Sequence, residues 1–260
     1  MSSEKSQPQV TLYRGWDSPG RYVWSPFVVK VEARLRFAGL KYKSEVGSVQ
    51  QSPKGKIPYV DIGSSSRETK TLSDSALIVD KLVDEGLLKD LNARLSPVER
   101  AHDVAIRALL EDKWYFYQAC EKWHENYYAM RGHVLWRLPY PVQVVVGLLV
   151  YRSVSTTLHG QGSARYTEEE VSKFRAEIWG SIEDLLIDSK RKQEGSQKPF
   201  WVLGNDHPSE ADTALFGAIS ATLVTTASPK STKAIRSYPT VMEYAKRIHE
   251  EYFPDFEIWT

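Results

Sequence analysis

Trp24-Ser25-Pro26-Phe27-Val28-Val29-Lys30-Val31-Glu32-Ala33-Arg34-Leu35-Arg36-Phe37-Ala38-Gly39 decides how the first third of this chain folds. Ser25 is a natural N-cap, and Pro26 suits the first helical position, where a missing N–H costs nothing. Phe27, Val28, Val31, Leu35 and Ala38 recur at helical spacing, and Gly39 supplies a stop. The spacing predicts a helix of about three and a half turns. Upstream, residues 10–13 are a short β-prone run followed by loop chemistry at 15–20; downstream, residues 42–46 alternate in character. Strand, helix and strand in that order make a βαβ unit, whose strands are expected to be parallel.

Further along, residues 57–62 and 69–72 flank a Gly-Ser-Ser-Ser loop and read as an antiparallel hairpin. Ser73 then opens an apolar-periodic helix through Leu77, Ile78, Leu82 and Val83. Ser96-Pro97-Val98-Glu99 is a complete helix start, with cap, proline and returning carboxylate in sequence. The boundary between an α/β domain (10–92) and an all-α domain (96–260) is placed just before it. Past that point one helical stripe runs through Ala105, Leu109, Phe116, Cys120, Trp123 and Tyr127, and another through Val171, Phe174, Ile178, Ile182 and Leu185. Thr167-x-x-Glu170, Ser209-x-x-Asp212 and Pro239 mark further helix starts; the first two are read as structural capping boxes.

The bulk numbers narrow the function classes. Lys+Arg total 34 against 33 Asp+Glu, so no global field draws in nucleic acid. Residues 1–9 are polar, read as a flexible tail and not as a secretory signal. The most apolar stretch, residues 138–150, falls short of the roughly 20 residues that a spanning helix needs, so no membrane span is expected. Cys120 is the only cysteine, which excludes an internal disulfide and a CxxC redox pair and favours a cytoplasmic setting. The histidines show no metal-ligand spacing, and no metal is expected. Glu121, His124 and Glu125 share a helical face that reads as solvated and salt-bridging.

Four local patterns occur together in one order: Trp24-Ser25-Pro26-Phe27, Gly55-Lys56-Ile57-Pro58, Ser73-Asp74-Ser75 and Ser209-Glu210-Ala211-Asp212. In this the chain resembles the glutathione transferases, from about residue 10 onward. Gly160-Gln161-Gly162 leading into Arg165-Tyr166-Thr167-Glu168-Glu169-Glu170 is similar to the metaxin and failed-axon-connections branch. The Trp-Ser-Pro opening also resembles fungal and bacterial transferases related to β-etherases. The resemblance implies a thioredoxin-like N-terminal domain before an all-helical C-terminal domain, a homodimer, and glutathione as co-substrate bound between the domains.

It further implies that Pro58 is cis and that Ile57 offers its backbone to the cysteinyl part of glutathione. Asp74 and Ser75 match the pair that grips the γ-glutamyl end: a carboxylate meets the α-ammonium, and a hydroxyl with helix N-terminal N–H groups meets the carboxylate. Lys56 is a candidate for the glycyl carboxylate, with Lys54 and Gln51 as rivals for the same contact. Ser25 stands where a hydroxyl and a helix N-terminus meet, the combination that stabilises a thiolate; the same serine is also the expected N-cap. Tyr22 is the rival for that role, with Tyr13 behind it.

Residues 130–165 depart from the compact family pattern. They read either as a wall over an apolar substrate pocket with Trp114, Tyr115 and Tyr117, beside Trp24 and Phe27, or as extra core or an oligomer surface; helical spacing favours the second. The expected activity is activation of the glutathione thiol toward a small apolar electrophile, by conjugation, addition or elimination, in detoxification or secondary metabolism. The alternatives are a non-catalytic adaptor of metaxin type and a pathway-specific glutathione-dependent isomerase or lyase.

Overall fold

Helix α1 (Pro26–Phe37) is the element around which both halves are assembled. The computed structural model describes residues 9–64, 67–193 and 195–259. The expected tail, apart from Gln9, and the hairpin tip at 65–66 lie outside the described residues. Strand β1 (Gln9–Tyr13) runs parallel to β2 (Tyr42–Glu45), with α1 as the crossover, and antiparallel to β3 (Tyr59–Ser64). Strand β4 (Arg67–Ser73) pairs antiparallel with β3, which gives the order β2-β1-β3-β4. This is the expected βαβ then ββα arrangement.

One detail differs. Helix α2 (Ser75–Asp84) is capped by Asp74, not Ser73. Ser73 ends β4 opposite Tyr59, and its hydroxyl is joined to that of Ser52 at 2.8 Å, so it is not free to cap.

Every residue of α1 from 28 to 35 is buried. Val31 and Leu35 pack with Val10, Leu12, Val60, Ile62, Ile78 and Leu82 against the sheet. Val28, Val29 and Ala33 face the helical domain instead. Burying each such side chain stabilises by about 1.5–3 kcal/mol. The polar members of the helix are paired: Glu32 with Arg14 at 3.0 Å, Arg34 with Glu210 at 2.6 Å and Lys30 with Glu111 at 2.5 Å. Two of these pairs tie α1 to the helical domain. A Cβ on Gly217 would lie 2.6 Å from the Pro26 carbonyl and 2.9 Å from Lys30 N, so α8 (Glu210–Val224) meets α1 backbone to backbone.

The second half runs α3 (Pro97–Ala108), α4 (Tyr115–Cys120), α5 (Tyr127–Val134), α6 (Tyr140–Gln161), α7 (Glu168–Lys192), α8, α9 (Pro229–Arg236) and α10 (Pro239–Tyr252). The capping boxes of Ser96 with Glu99 and Thr167 with Glu170 open α3 and α7. At α8, Asp212 Oδ2 accepts from both the N–H and the hydroxyl of Ser209.

The expected stripe through Ala105 and Phe116 is not the buried one. Ile106, Leu110, Trp114, Tyr117 and Glu121 point inward instead, on a rod that includes π-helical stretches at Leu109–Trp114 and Glu121–Glu125.

Glu121 also overturns the reading of a solvated face. It is fully buried and accepts from Lys230 N at 2.6 Å, Ser231 N at 3.1 Å and Ser231 Oγ at 2.6 Å, beside Arg175. It therefore caps α9 from another element. Asp103 does the same for Ala211 N at 2.7 Å, and Glu183 for Thr240 N and Val241 N at the start of α10. Each buried carboxylate thus meets orphan helix donors that have no partner within their own helix.

Residues 138–150 do not stop at their apolar run. They enter a 22-residue helix, α6, whose outward side is bare. The reading of extra core fails there, because Val145 and Leu149 are 62% and 60% exposed.

Candidate functional site

Three pieces of backbone gather at one end of the sheet. Tyr13, at the end of β1, and Ser73, at the end of β4, both pair with Tyr59, at the start of β3. The β1–α1 loop, Pro58 and the α2 N-terminus therefore neighbour one another. The Ile57–Pro58 peptide is cis. Ser52, bonded to Ser73, also accepts from Lys56 N at 3.4 Å, which holds the Lys56 loop against the start of α2. Lys56 itself is exposed, Ile57 is half-buried, and Ser75 is buried at the first position of α2.

Asp74 stands out in conformation, with φ 82° and ψ 125°, a region that a residue with a side chain rarely adopts. Such strain clusters at functional sites. Its Oδ1 accepts from Ala76 N at 3.1 Å and Leu77 N at 3.5 Å, so one oxygen caps the helix. Carboxylate chemistry leaves the other oxygen for an ammonium.

Ser25 has extended backbone angles and its Oγ accepts from Val28 N at 3.4 Å. It is thus the N-cap of α1. The bond uses a lone pair of the hydroxyl and leaves the O–H proton to donate elsewhere. Tyr22 is placed differently. Its ring is buried among Phe216, Phe253, Phe256 and Trp259, and its hydroxyl is bonded to His249 Nδ1 at 2.8 Å. Burial pushes its pKa far up. Tyr13 stacks on Tyr59, donates to Asp61 at 2.9 Å, and is pushed up to about 12 by burial and the Asp61 carboxylate. Both phenols are poorly suited to hold a thiolate, since each already has a partner.

Next to Ser25, the Trp24 indole lies against the His133 ring with centroids 3.6 Å apart, and Trp16 stacks with His133 at 5.0 Å. Trp16 Nε1 donates to the His133 carbonyl at 3.1 Å. Lys122, buried, donates to the Trp24 carbonyl at 3.3 Å. Burial lowers its pKa to about 7, and burial together with Lys122 lowers that of His133 to about 4. Both are therefore largely uncharged at mildly alkaline pH.

A cavity of about 360 Å³ opens beside this stack, walled by Tyr22, Trp24, His133, Leu223, Ile258 and Trp259 among others. The Arg21–Glu257 ion pair, at 2.7 Å, and the bond from Glu257 N to Gly20 O hold the C-terminal segment to the β1–α1 loop along this wall.

Of the five residues expected in the pocket, the structure brings only Trp24 to it, and Tyr115 joins Phe27 and Trp114 elsewhere. Phe27 and Trp114 line a crevice of about 10 Å³ between α1 and α8, too small for a ligand. Trp114 is fully buried against Trp179, and Tyr117 stacks on Phe174. The residues that sequence reasoning missed, His133, Leu223 and Trp259, carry no motif and come from distant elements.

A four-stranded thioredoxin-like sheet with a cis proline, joined to a helical domain across α1, defines the glutathione transferase fold. Residues 26–130 match the glutathione S-transferase N-terminal domain family. Among solved structures it is similar to a glutathione transferase from Phanerochaete chrysosporium, with 15% identity, a TM-score of 0.59, and coverage of 94% of this chain and 98% of that one. It is also similar to a glutathione transferase family member from Pseudomonas fluorescens, solved with two glutathione bound, with 17% identity, a TM-score of 0.54, and coverage of 98% and 96%. At these identities the likeness concerns the fold.

In sequence the chain is 24% identical over 264 residues to Failed axon connections of Drosophila melanogaster, across 95% of this chain and 59% of that protein. The chain thus spans about three fifths of the length of this curated relative.

Proposed function

We propose that this protein is a glutathione-dependent transferase that presents the glutathione thiol to a small apolar electrophile. The observation that carries the reading is the position of Ser25: a hydroxyl with a free proton at the N-terminus of a buried helix, one residue from the tryptophan that walls the cavity.

The donor set suits glutathione. Asp74 and Ser75 take the γ-glutamyl end, Ile57 beside cis-Pro58 the cysteinyl backbone, and Lys56 the glycyl carboxylate. When bound, glutathione supplies the nucleophilic thiol. Ser25 donates its hydrogen bond to the sulfur, and the α1 N-terminus adds its positive dipole end; both favour the thiolate. The cavity beside Trp24 takes the electrophile, with Trp24, Leu223, Ile258 and Trp259 as its apolar wall and Ser18, Arg21 and Glu257 as its polar rim. In this reading the chain works in the cytoplasm as a homodimer.

Calorimetric titration with glutathione, followed by turnover of a panel of electrophiles by wild type and Ser25→Ala, tests the reading. Binding in both proteins with turnover lost in the variant supports it. Equal turnover refutes the role of Ser25, and no binding refutes the activity.

The second reading is a non-catalytic adaptor. It is favoured by the likeness to Failed axon connections and by the bare α6 surface, which no step of the transferase chemistry uses. In that case neither glutathione binding nor turnover is found.

A further inference from the structure

Helix α6 is held by one side only. Gly147 is buried, and a Cβ there would lie 2.7 Å from both Arg131 Cδ and the Tyr127 hydroxyl. Tyr151 packs edge-on to Tyr127, Ser155 bonds to His124 at 3.1 Å, and Leu158 is buried. On the other side Val142, Val145, Leu148 and Leu149, spaced three and four apart, stand in solvent. Trp136 and Tyr140, also exposed, flank the N-terminal end of the row, Tyr140 on the side where Arg131 lies over its ring. Isolated exposed apolar residues are ordinary, but a continuous row of them marks an interaction surface.

The charge around the row is one-sided. Residues 126–167 contain no Asp, Glu or Lys, and their arginines are Arg131, Arg137, Arg152 and Arg165. Arg131 lies over the rings of Tyr127, Tyr128 and Tyr140, and Arg137 over Trp136. Acids from other elements come near both ends: Asp112, whose carbonyl takes Gln161 Nε2, and Glu125, paired with Lys230, by the polar C-terminal half, and Glu45, itself paired with Lys43, two residues from Gly47, whose carbonyl accepts from Arg137 Nη1 at 3.4 Å. A second copy of the same face would bring arginine to arginine with no acid from residues 126–167 to meet it, so self-pairing through this face is disfavoured. The apolar half, residues 140–150, is roughly 16 Å long at 1.5 Å per residue, about half of the ~30 Å hydrocarbon layer. The remainder, with Arg152, Ser153, Thr156, Thr157 and His159, is polar. By length and composition the whole helix is long and apolar enough to cross a bilayer, but the side that holds Gly147, Tyr151, Ser155 and Leu158 is packed on the protein, so in this fold α6 suits lying in a membrane interface.

We propose that the outward face of α6, with Trp136, Tyr140 and the flanking arginines, is a docking surface for an anionic lipid bilayer. The valine and leucine row enters the acyl boundary, the tryptophan and tyrosine rest at the headgroup level, and the arginines meet lipid phosphates and carboxylates. The proposal rests on this face alone and is independent of the transferase reading.

Flotation of the purified full chain with phosphatidylcholine vesicles, with and without phosphatidylserine, tests it. The expected result is association with the phosphatidylserine vesicles, little with phosphatidylcholine alone, and release at high salt. Arg137→Ala with Arg152→Ala should lower partitioning about 30-fold. Val145→Glu with Leu149→Glu should abolish association while leaving the far-UV spectrum and Tm unchanged, because both positions are exposed. The vesicle-induced blue shift of tryptophan fluorescence should shrink in Trp136→Phe. Absence of vesicle association, or association unaffected by the Val145/Leu149 pair, overturns the proposal. A wild-type dimer that this pair renders monomeric, without vesicle binding, assigns the face to a second copy and also overturns it.

Discussion

The His133 imidazole lies flat against the Trp24 indole, with planes 12° apart and centroids separated by 3.6 Å. This contact joins α5 to the residue before Ser25 and closes one wall of the 360 Å³ cavity. If the cavity takes the electrophile, His133→Ala should raise KM for it about 2- to 10-fold, the loss of an aromatic contact worth ~0.5–1.5 kcal/mol. The affinity for glutathione, assigned to Lys56, Ile57, Asp74 and Ser75, none of which lines this cavity, should not change. Steady-state kinetics with each substrate varied in turn checks this.

Lys122 gives the fold a pH dependence. Its pKa is lowered from 10.5 to about 7 by burial. Between these values the unfolded chain binds the extra proton, so stability rises with pH over that window and is flat below it. Relative to Lys122→Met, the wild type should gain up to about 1.4 kcal/mol per pH unit between roughly pH 7 and 10. Urea unfolding of both proteins across that range measures the difference. A constant difference would mean that the amine keeps its charge when buried.

Gly217→Ala tests the seam between the domains. The new methyl meets the Pro26 carbonyl and the Lys30 backbone, which have no flexible end to move aside. The expected cost is about 1–3 kcal/mol, despite alanine's better helix propensity. It should be read as a lowered denaturation midpoint.

Glu121 and Glu125, neighbours on one π-helical stretch, should behave oppositely. Glu121→Ala strips α9 of its cap and Arg175 of its partner and should cost about 3–5 kcal/mol. Glu125→Ala removes an exposed pair with Lys230 and should cost under about 1 kcal/mol. Thermal unfolding separates the two.

Those two glutamates also show what the sequence makes legible. Helix starts are local, so Ser25-Pro26, Ser96-Pro97-Val98-Glu99 and Thr167-x-x-Glu170 disclose themselves within four residues. The sheet follows from alternation and turns in the same way. The inward face of the α3–α5 rod does not, because Ile106, Leu110, Trp114, Tyr117 and Glu121 recur at the same three- and four-residue spacing as the stripe through Ala105 and Phe116 on the neighbouring face, and one of them is an acid. Nor does the cavity wall: Leu223, Ile258 and Trp259 meet Trp24 only through the packing of α8 and the C-terminal segment. Trp114 and Tyr117 have the aromatic character of pocket residues but fill core, and composition alone does not distinguish the two fates.

The central claim is that the Ser25 hydroxyl, at the N-terminus of α1, holds the glutathione sulfur as a thiolate. The direct measurement is the thiol pKa of bound glutathione, followed by its thiolate absorbance, in wild type and in Ser25→Ala. The account predicts a pKa in wild type at least one unit below the ~8.5 of a free cysteine thiol, returning toward that value in the variant. The same pKa in both proteins, with glutathione bound to each, would contradict it.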